Sequence, residues 1–134
     1  MKKIETSARI EHLERLIEFI SKCATEQGFD QERTQEMEVA TEEILVNIFS
    51  YAYPEEAGKV QVSCTAEDEV GCIIEVMDDG IPFNILSLPD PDVTSGVSDR
   101  KVGGLGVFLV RELVNEIRYR RDGDRNILTL VFHK

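Results

Sequence analysis

A carboxylate and an amide stand one helical turn apart in the stretch EVATEEILVNIFSYAY, at Glu43 and Asn47. A spacing of four residues puts both side chains on the same face of a helix, where they can act on one bound group. An amide oxygen is a hard ligand suited to Mg²⁺, and a carboxylate can accept a proton from a hydroxyl or a water. The pair therefore indicates chemistry on a magnesium-bound phosphate, although a solvated helix face would show the same spacing.

A second candidate is Asp78, which follows the apolar stretch IIEVM and precedes Gly80 by two residues. The apolar stretch predicts a buried strand, so this carboxylate lies at the edge of a sheet. There it could accept a hydrogen bond from the amino group of an adenine, while Gly80 frees the backbone to turn. An ordinary Asp-Gly turn accounts for the same residues, so both interpretations remain open.

Three glycines, Gly103, Gly104 and Gly106, open the helix predicted by GGLGVFLVREL. The N-terminus of a helix presents unpaired N–H groups and a partial positive charge, and glycine lets an anion approach the backbone closely. Phosphate binding is one explanation, and close helix packing is the other. No GK[ST] follows the glycines and no strand leads directly into them, which excludes the Walker A motif and the Rossmann fingerprint.

Hydrophobic periodicity predicts a single domain over residues 1–134. The predicted elements are a strand at 2–6, a helix from Leu13 to near Gly28, a helix from Asp30 with its body over 33–52, strands at 60–64 and 72–77, a helix from the glycines to about Glu116, and strands at 117–121 and 126–132. This order predicts an α+β fold, a two-layer sandwich with helices on one face of a largely antiparallel mixed sheet. Residues 80–103 hold three of the four prolines and show no sustained period, which is typical of a lid or a binding loop.

Composition excludes several classes of protein. The net charge of −11 argues against direct binding to nucleic acid. No apolar run approaches the roughly 20 residues that a membrane span requires, and the N-terminal segment lacks the pattern of a signal peptide, so we expect a cytoplasmic protein. The cysteines, Cys23, Cys64 and Cys72, show no CxxC spacing and are expected to be reduced thiols in the core.

Taken in this order, the Glu-x-x-x-Asn helix, the Asp-x-Gly turn and the glycine-led helix resemble the nucleotide-binding domain shared by histidine kinases, DNA gyrase and MutL, the GHKL ATPases with the Bergerat fold. Within that superfamily the chain is similar to the short bacterial anti-sigma factor serine/threonine kinases of the RsbW and SpoIIAB kind. The resemblance covers about residues 5–133. Pro82 is a departure, since it stands where the wider superfamily often has a second glycine.

The resemblance implies that the chain binds ATP and Mg²⁺. By this resemblance Asn47 coordinates the metal, Glu43 is the general base, Asp78 recognises the adenine, and residues 80–103 form an ATP lid. The nucleotide-binding residues so implied are Asp78, Gly80, Gly103, Gly104, Leu105, Gly106 and, on the last strand, Thr129. Arg100 or Lys101, a basic residue at the end of this lid, is a further candidate for a contact with the γ-phosphate because of its position and positive charge.

The function that the resemblance implies is an ATP-dependent protein serine kinase that acts as an anti-sigma factor in partner switching. Its partners would be a STAS-domain anti-anti-sigma protein, which it phosphorylates, and a sigma factor, and the family implies a homodimer. The alternative is a non-catalytic ATP-binding switch module that binds a sigma, STAS or stressosome partner. Glu43 favours the enzyme, because a binding module has no need of a general base. A structural interaction domain, indifferent to nucleotide, is a third possibility.

Overall fold

Five strands and three helices occupy the part of the chain that the computed structural model describes, residues 1–53, 58–68, 71–87 and 104–134. The strands are β1 (Lys2–Ser7), β2 (Lys59–Glu67), β3 (Gly71–Asp78), β4 (Glu116–Asp122) and β5 (Arg125–His133). The helices are α1 (Leu13–Glu26), α2 (Gln31–Tyr51) and α3 (Gly104–Leu113). Each element predicted from the hydrophobic pattern is present, with its ends shifted by a few residues.

The strands form one sheet in the order β1-β2-β3-β5-β4, with β3 in the centre. Every described pairing is antiparallel, without the parallel pair that a mixed sheet would contain. The α+β sandwich with helices against an antiparallel sheet is therefore confirmed. The register of β3 and β5 places Asp78 directly opposite Asn126 at one end of the sheet.

Alternation along the central strands divides the sheet into a face toward the helices and a face away from them. The core residues of β3 and β5 that face the helices are Cys72, Ile74, Val76, Leu128, Leu130 and Phe132, each at most 3% exposed. Asp78 and Asn126 continue the same alternating series and are 2% and 3% exposed. Both polar side chains therefore lie on the helix-facing side of the sheet.

Helix α2 begins where the sequence predicts, because Asp30 caps it. The Asp30 carboxylate accepts a hydrogen bond from the backbone N–H of Arg33 at 2.7 Å, which pairs one of the otherwise unpaired N–H groups of the first turn. The fully buried apolar residues of the helix are Met37, Ala40, Ile44 and Leu45. This apolar face packs α2 between α1 and α3 over the sheet.

Arg33 also ties the first turn of α2 to two other elements. Its Nε donates to the backbone oxygen of His133 at 2.8 Å, and its guanidinium Nη1 donates to that of Leu113 at 2.8 Å. Its Nη2 donates to Asn115 Oδ1 at 2.6 Å. The guanidinium thus joins the start of α2 to the ends of α3 and β5, which fixes the direction in which α2 crosses the sheet.

The structure adds detail at the end of α3 and in the loop that follows β3. Helix α3 ends at Leu113, three residues before the predicted Glu116, because the N–H of Asn115 already donates to Val131 on β5 at 2.9 Å. The predicted loop over 80–103 is packed where it is described, since Ile85 is 3% exposed within a short 3₁₀ turn at Ile85–Ser87.

The three cysteines are free and buried, as expected from their spacing. The sulfur atoms of Cys64 and Cys72 lie 3.0 Å apart on β2 and β3. Within the described ranges, no helix has both the length and the apolarity that crossing a membrane demands.

Candidate active site

Asn47 is a buried amide in the last third of α2, only 1% exposed. Its Nδ2 donates to the backbone oxygen of Glu43 at 2.7 Å, which fixes the orientation of the amide. Among the described residues, its Oδ1 has no hydrogen-bond partner. An unpaired buried oxygen is destabilising, so it marks a place where a ligand can bind. A carboxamide oxygen is also a ligand type that fits a hard cation such as Mg²⁺.

Glu43 lies one turn before Asn47 on the same face of α2 and is half-buried. Burial raises the pKa of the Glu43 carboxyl, and the negative charge of neighbouring Glu42 raises it further. A carboxylate with a raised pKa is a stronger proton acceptor than an exposed one. Its environment therefore suits a general base that works near neutral pH.

Asp78 is buried at the end of β3, with one of its oxygens doubly hydrogen-bonded. Oδ1 accepts from the N–H of Gly80 at 2.9 Å and from Nδ2 of Asn126 at 2.9 Å. Burial raises the pKa of this carboxyl, and these two hydrogen bonds partly oppose the shift. In the described part of the chain no hydrogen bond ends on Oδ2, which leaves that oxygen as an acceptor for a ligand.

The neighbouring acid, Asp79, has a different role. Its Oδ1 accepts from the hydroxyl of Tyr53 at 2.6 Å and from the N–H of Lys59 at 2.9 Å. Burial alone would raise its pKa, but these hydrogen bonds bring the pKa of Asp79 below its ordinary value. Asp79 therefore holds the end of β3 to Tyr53, just after α2, and to the start of β2. The Oδ1 atom of its carboxylate is already occupied by these two donors.

Gly80 brings the end of β3 against the end of α2. A Cβ at this position would lie 2.4 Å from the backbone oxygen of Ala52 and 2.7 Å from the Cβ of Ala52. The same oxygen accepts a hydrogen bond from the N–H of Ile81 at 3.0 Å. The Asp-Gly turn is therefore present, and the glycine is required by this close approach. The contact holds the turn after Asp78 against the C-terminal end of the helix that carries Glu43 and Asn47.

The structure does not bring Thr129, which the resemblance predicts as a nucleotide contact, together with Asp78. Its Cα pairs with that of Glu75, and it lies three residues from Asn126 along β5. An odd separation along a strand places two side chains on opposite faces of the sheet. Thr129 is therefore on the face away from the helices, whereas Asp78 is on the face toward them.

Asn126 is the polar residue that the structure places opposite Asp78, and it was missed in the sequence. The available signal was an amide at the start of the otherwise apolar strand NILTLVF. A buried asparagine requires partners, but the pattern alone does not show which strand supplies them.

The predicted phosphate-binding residues are described in part. Gly104, Leu105 and Gly106 form the first turn of α3, so the prediction that glycines begin a helix is confirmed. Arg100, Lys101 and Gly103 lie outside the described residues. Their role at the phosphates, like that of the first turn of α3, stays a prediction.

Comparisons with known proteins identify related sequences. The family model described as the histidine kinase-like ATPase domain matches residues 6–132. A serine-protein kinase RsbW from Bacillus mycoides is 28% identical over 110 residues, covering 78% of this chain and 68% of that protein. A serine-protein kinase RsbW from Bacillus cereus is 29% identical over 110 residues with the same coverage.

Two solved structures share the fold. The RsbU and RsbW domains of Rv1364c from Mycobacterium tuberculosis match with a TM-score of 0.64 at 14% identity over 98% of this chain, which spans only 32% of that structure. The histidine kinase AdeS of Acinetobacter baumannii matches with a TM-score of 0.52 at 11% identity, covering 99% of this chain and 68% of the other. Because the family model matches residues 6–132 of this chain, the chain belongs to the histidine kinase-like ATPase domain family.

Proposed function

We propose that this chain is an ATP-dependent protein serine kinase that acts as an anti-sigma factor in a bacterial partner-switching system. Its protein substrate would be a STAS-domain anti-anti-sigma protein, and its second partner a sigma factor. Membership of the ATPase family and the similarity to relatives named serine-protein kinase RsbW support this proposal. The observation that carries it is the unpaired buried oxygen of Asn47, one turn from Glu43 on α2.

Asn47 would hold the magnesium ion that this family implies. Its Oδ1 is oriented by the hydrogen bond from its own Nδ2 to Glu43, and this oxygen has no competing partner among the described residues. When bound, Mg²⁺ offsets negative charge on the phosphates.

Glu43 would accept the proton of the substrate serine as the hydroxyl oxygen bonds to the γ-phosphorus. The bond between that phosphorus and the bridging oxygen breaks, and ADP leaves. Its half-buried position and raised pKa make it a suitable acceptor near neutral pH. Phosphoryl transfer otherwise depends on positioning and charge stabilisation, to which the N-terminal turn of α3, with Gly104 and Gly106, would contribute backbone N–H groups. Lys101 and Gly103, just before that turn, would complete the phosphate site.

Asp78 would recognise the adenine through Oδ2, which can accept a hydrogen bond from the exocyclic amino group. Gly80 would allow this carboxylate to sit against α2 at the edge of the site. From the family resemblance we also propose that residues 80–103 form an ATP lid. The resemblance further suggests a homodimer in the cytoplasm.

The experiment that tests this function is phosphoryl transfer from γ-labelled ATP to each STAS-domain protein encoded in the same genome. We expect Mg²⁺-dependent labelling of a serine on one of them, and no labelling when ATP is replaced by ADP labelled on its β-phosphate. If ATP binds but no STAS protein is labelled, the chain is a non-catalytic switch module instead. If no nucleotide binds, the proposal is wrong.

A further inference from the structure

Asn126 is buried and uses its full hydrogen-bonding capacity. Its Nδ2 donates to Asp78 Oδ1 at 2.9 Å and to the backbone oxygen of Ile81 at 2.8 Å. Its Oδ1 accepts from the N–H of Phe83 at 3.0 Å and from the hydroxyl of Tyr119 at 2.6 Å. A carboxamide offers two N–H donors and one oxygen with two lone pairs, so all four positions are filled.

This arrangement permits only one orientation of the amide. If the amide flipped, its NH₂ group would face the N–H of Phe83, and its oxygen would face the oxygens of Asp78 and Ile81. Both contacts would be repulsive in a buried site. The donor that Asn126 presents to the Asp78 carboxylate is therefore fixed.

The same contact fixes the orientation of Asp78. The N–H of Gly80, in the turn that follows β3, donates to Oδ1. The Nδ2 of Asn126, on the neighbouring strand β5, donates to the same oxygen. Two donors on one oxygen restrict rotation of the carboxylate and leave Oδ2 available as an acceptor. Without the Asn126 donor, the turn alone would hold Asp78, and the carboxylate plane could rotate away from the orientation in which Oδ2 is presented to a ligand.

Tyr119 supports Asn126 from the edge strand. It lies on the helix-facing side of β4, next to Leu128 of β5, and its partly buried ring packs against the core. Its hydroxyl is 2.6 Å from Asn126 Oδ1. Tyr119, Asn126 and Asp78 thus form a hydrogen-bonded row across β4, β5 and β3.

We propose that Asn126, held by Tyr119, is a positioning residue for adenine recognition. It orients Asp78 so that Oδ2 accepts from the exocyclic amino group of the base. Asn126 also hydrogen-bonds to the backbone of Ile81 and Phe83, so it holds the first residues of the loop that follows β3 in place beside Asp78. The inference rests on the proposed function, because it assumes that Asp78 recognises adenine.

The test compares two nucleotides, ATP and purine riboside triphosphate, which is ATP without the exocyclic amino group. Dissociation constants are measured by calorimetry for the wild type, Asn126→Ala and Tyr119→Phe. We expect the wild type to prefer ATP by about tenfold or more, the effect of one hydrogen bond to a charged acceptor. Asn126→Ala should bring this preference close to one, and Tyr119→Phe should give an intermediate value.

The preference for ATP is the ratio of two dissociation constants measured on the same protein sample. A partly unfolded variant binds neither nucleotide in its unfolded fraction, so the ratio reports only on the folded site. Thr65→Val, on the face of β2 away from the helices, is the matched control and should keep the wild-type preference.

The outcomes separate this inference from the proposed function. Asn126→Ala variants that lose affinity for both nucleotides by the same factor would make Asn126 a purely structural residue and overturn the inference. If Asn126→Ala does not fold, Tyr119→Phe, which lacks only one hydroxyl, decides the question, and an unchanged ratio overturns the inference. A wild type that binds both nucleotides equally also overturns it, whereas a wild type that binds neither contradicts the proposed function itself.

Discussion

Glu43→Gln should reduce phosphoryl transfer by about 100- to 10,000-fold while ATP affinity stays close to that of the wild type. Glutamine keeps the shape of the side chain but cannot accept the proton of the attacking serine. Burial raises the pKa of Glu43, so the wild-type rate should increase as the pH rises through that raised value, and the variant should lack this step. Single-turnover transfer of labelled phosphate, measured across a pH series, reports both effects.

The matched control for this substitution is Glu38→Gln, because Glu38 is also on α2 but does not share a face with Glu43. We expect Glu38→Gln to keep the wild-type rate and the wild-type pH profile. A Glu43→Gln variant that binds ATP less tightly but transfers phosphate at the normal rate would contradict the assignment of Glu43 as the base.

Asp78→Asn should weaken ATP binding by about 10- to 100-fold and leave the fold intact. The asparagine oxygen can still accept from Gly80 and Asn126, so the contacts on Oδ1 survive. The new NH₂ group replaces Oδ2, and it faces the adenine amino group donor to donor. Calorimetry with ATP measures the loss, and wild-type affinity in the variant would show that Asp78 does not contact the base.

The same substitution should not destabilise the protein without nucleotide. Burial raises the pKa of Asp78 above its ordinary value of 3.8, so the folded state binds more protons than the unfolded chain in the window between these two values. Stability therefore falls as the pH rises through that window, and the loss persists at neutral pH. Asp78→Asn removes this titration, so its free energy of unfolding at pH 7 should equal or exceed that of the wild type. A large loss of stability at pH 7 would show that the charge itself holds the fold together.

Local features were predictable where one short segment determines them. Asp30 could be identified as the start of α2 because an N-cap acts on its own first turn, and the structure shows its bond to the N–H of Arg33. The pairing of Glu43 with Asn47 follows from helix geometry alone.

Features that depend on the register of distant strands were not predictable. The pattern of β5 gives two alternating faces but does not say which neighbour lies beside each residue. The resemblance therefore predicts Thr129 as the residue near the adenine, while the observed register brings Asn126 to Asp78. The contact of Gly80 with Ala52 joins residues on different elements, so the sequence suggested a turn but not the reason for the glycine.

The most direct test of the account is ATP binding measured by calorimetry with and without Mg²⁺, on the wild type and on Asn47→Ala. The wild type should bind ATP more tightly with Mg²⁺ present, because the unpaired Oδ1 of Asn47 is available to the ion. Asn47→Ala should lose this magnesium dependence, and its affinity without Mg²⁺ serves as the internal control. A wild type that binds no ATP, or a variant that keeps the full magnesium effect, would contradict the assignment of this site.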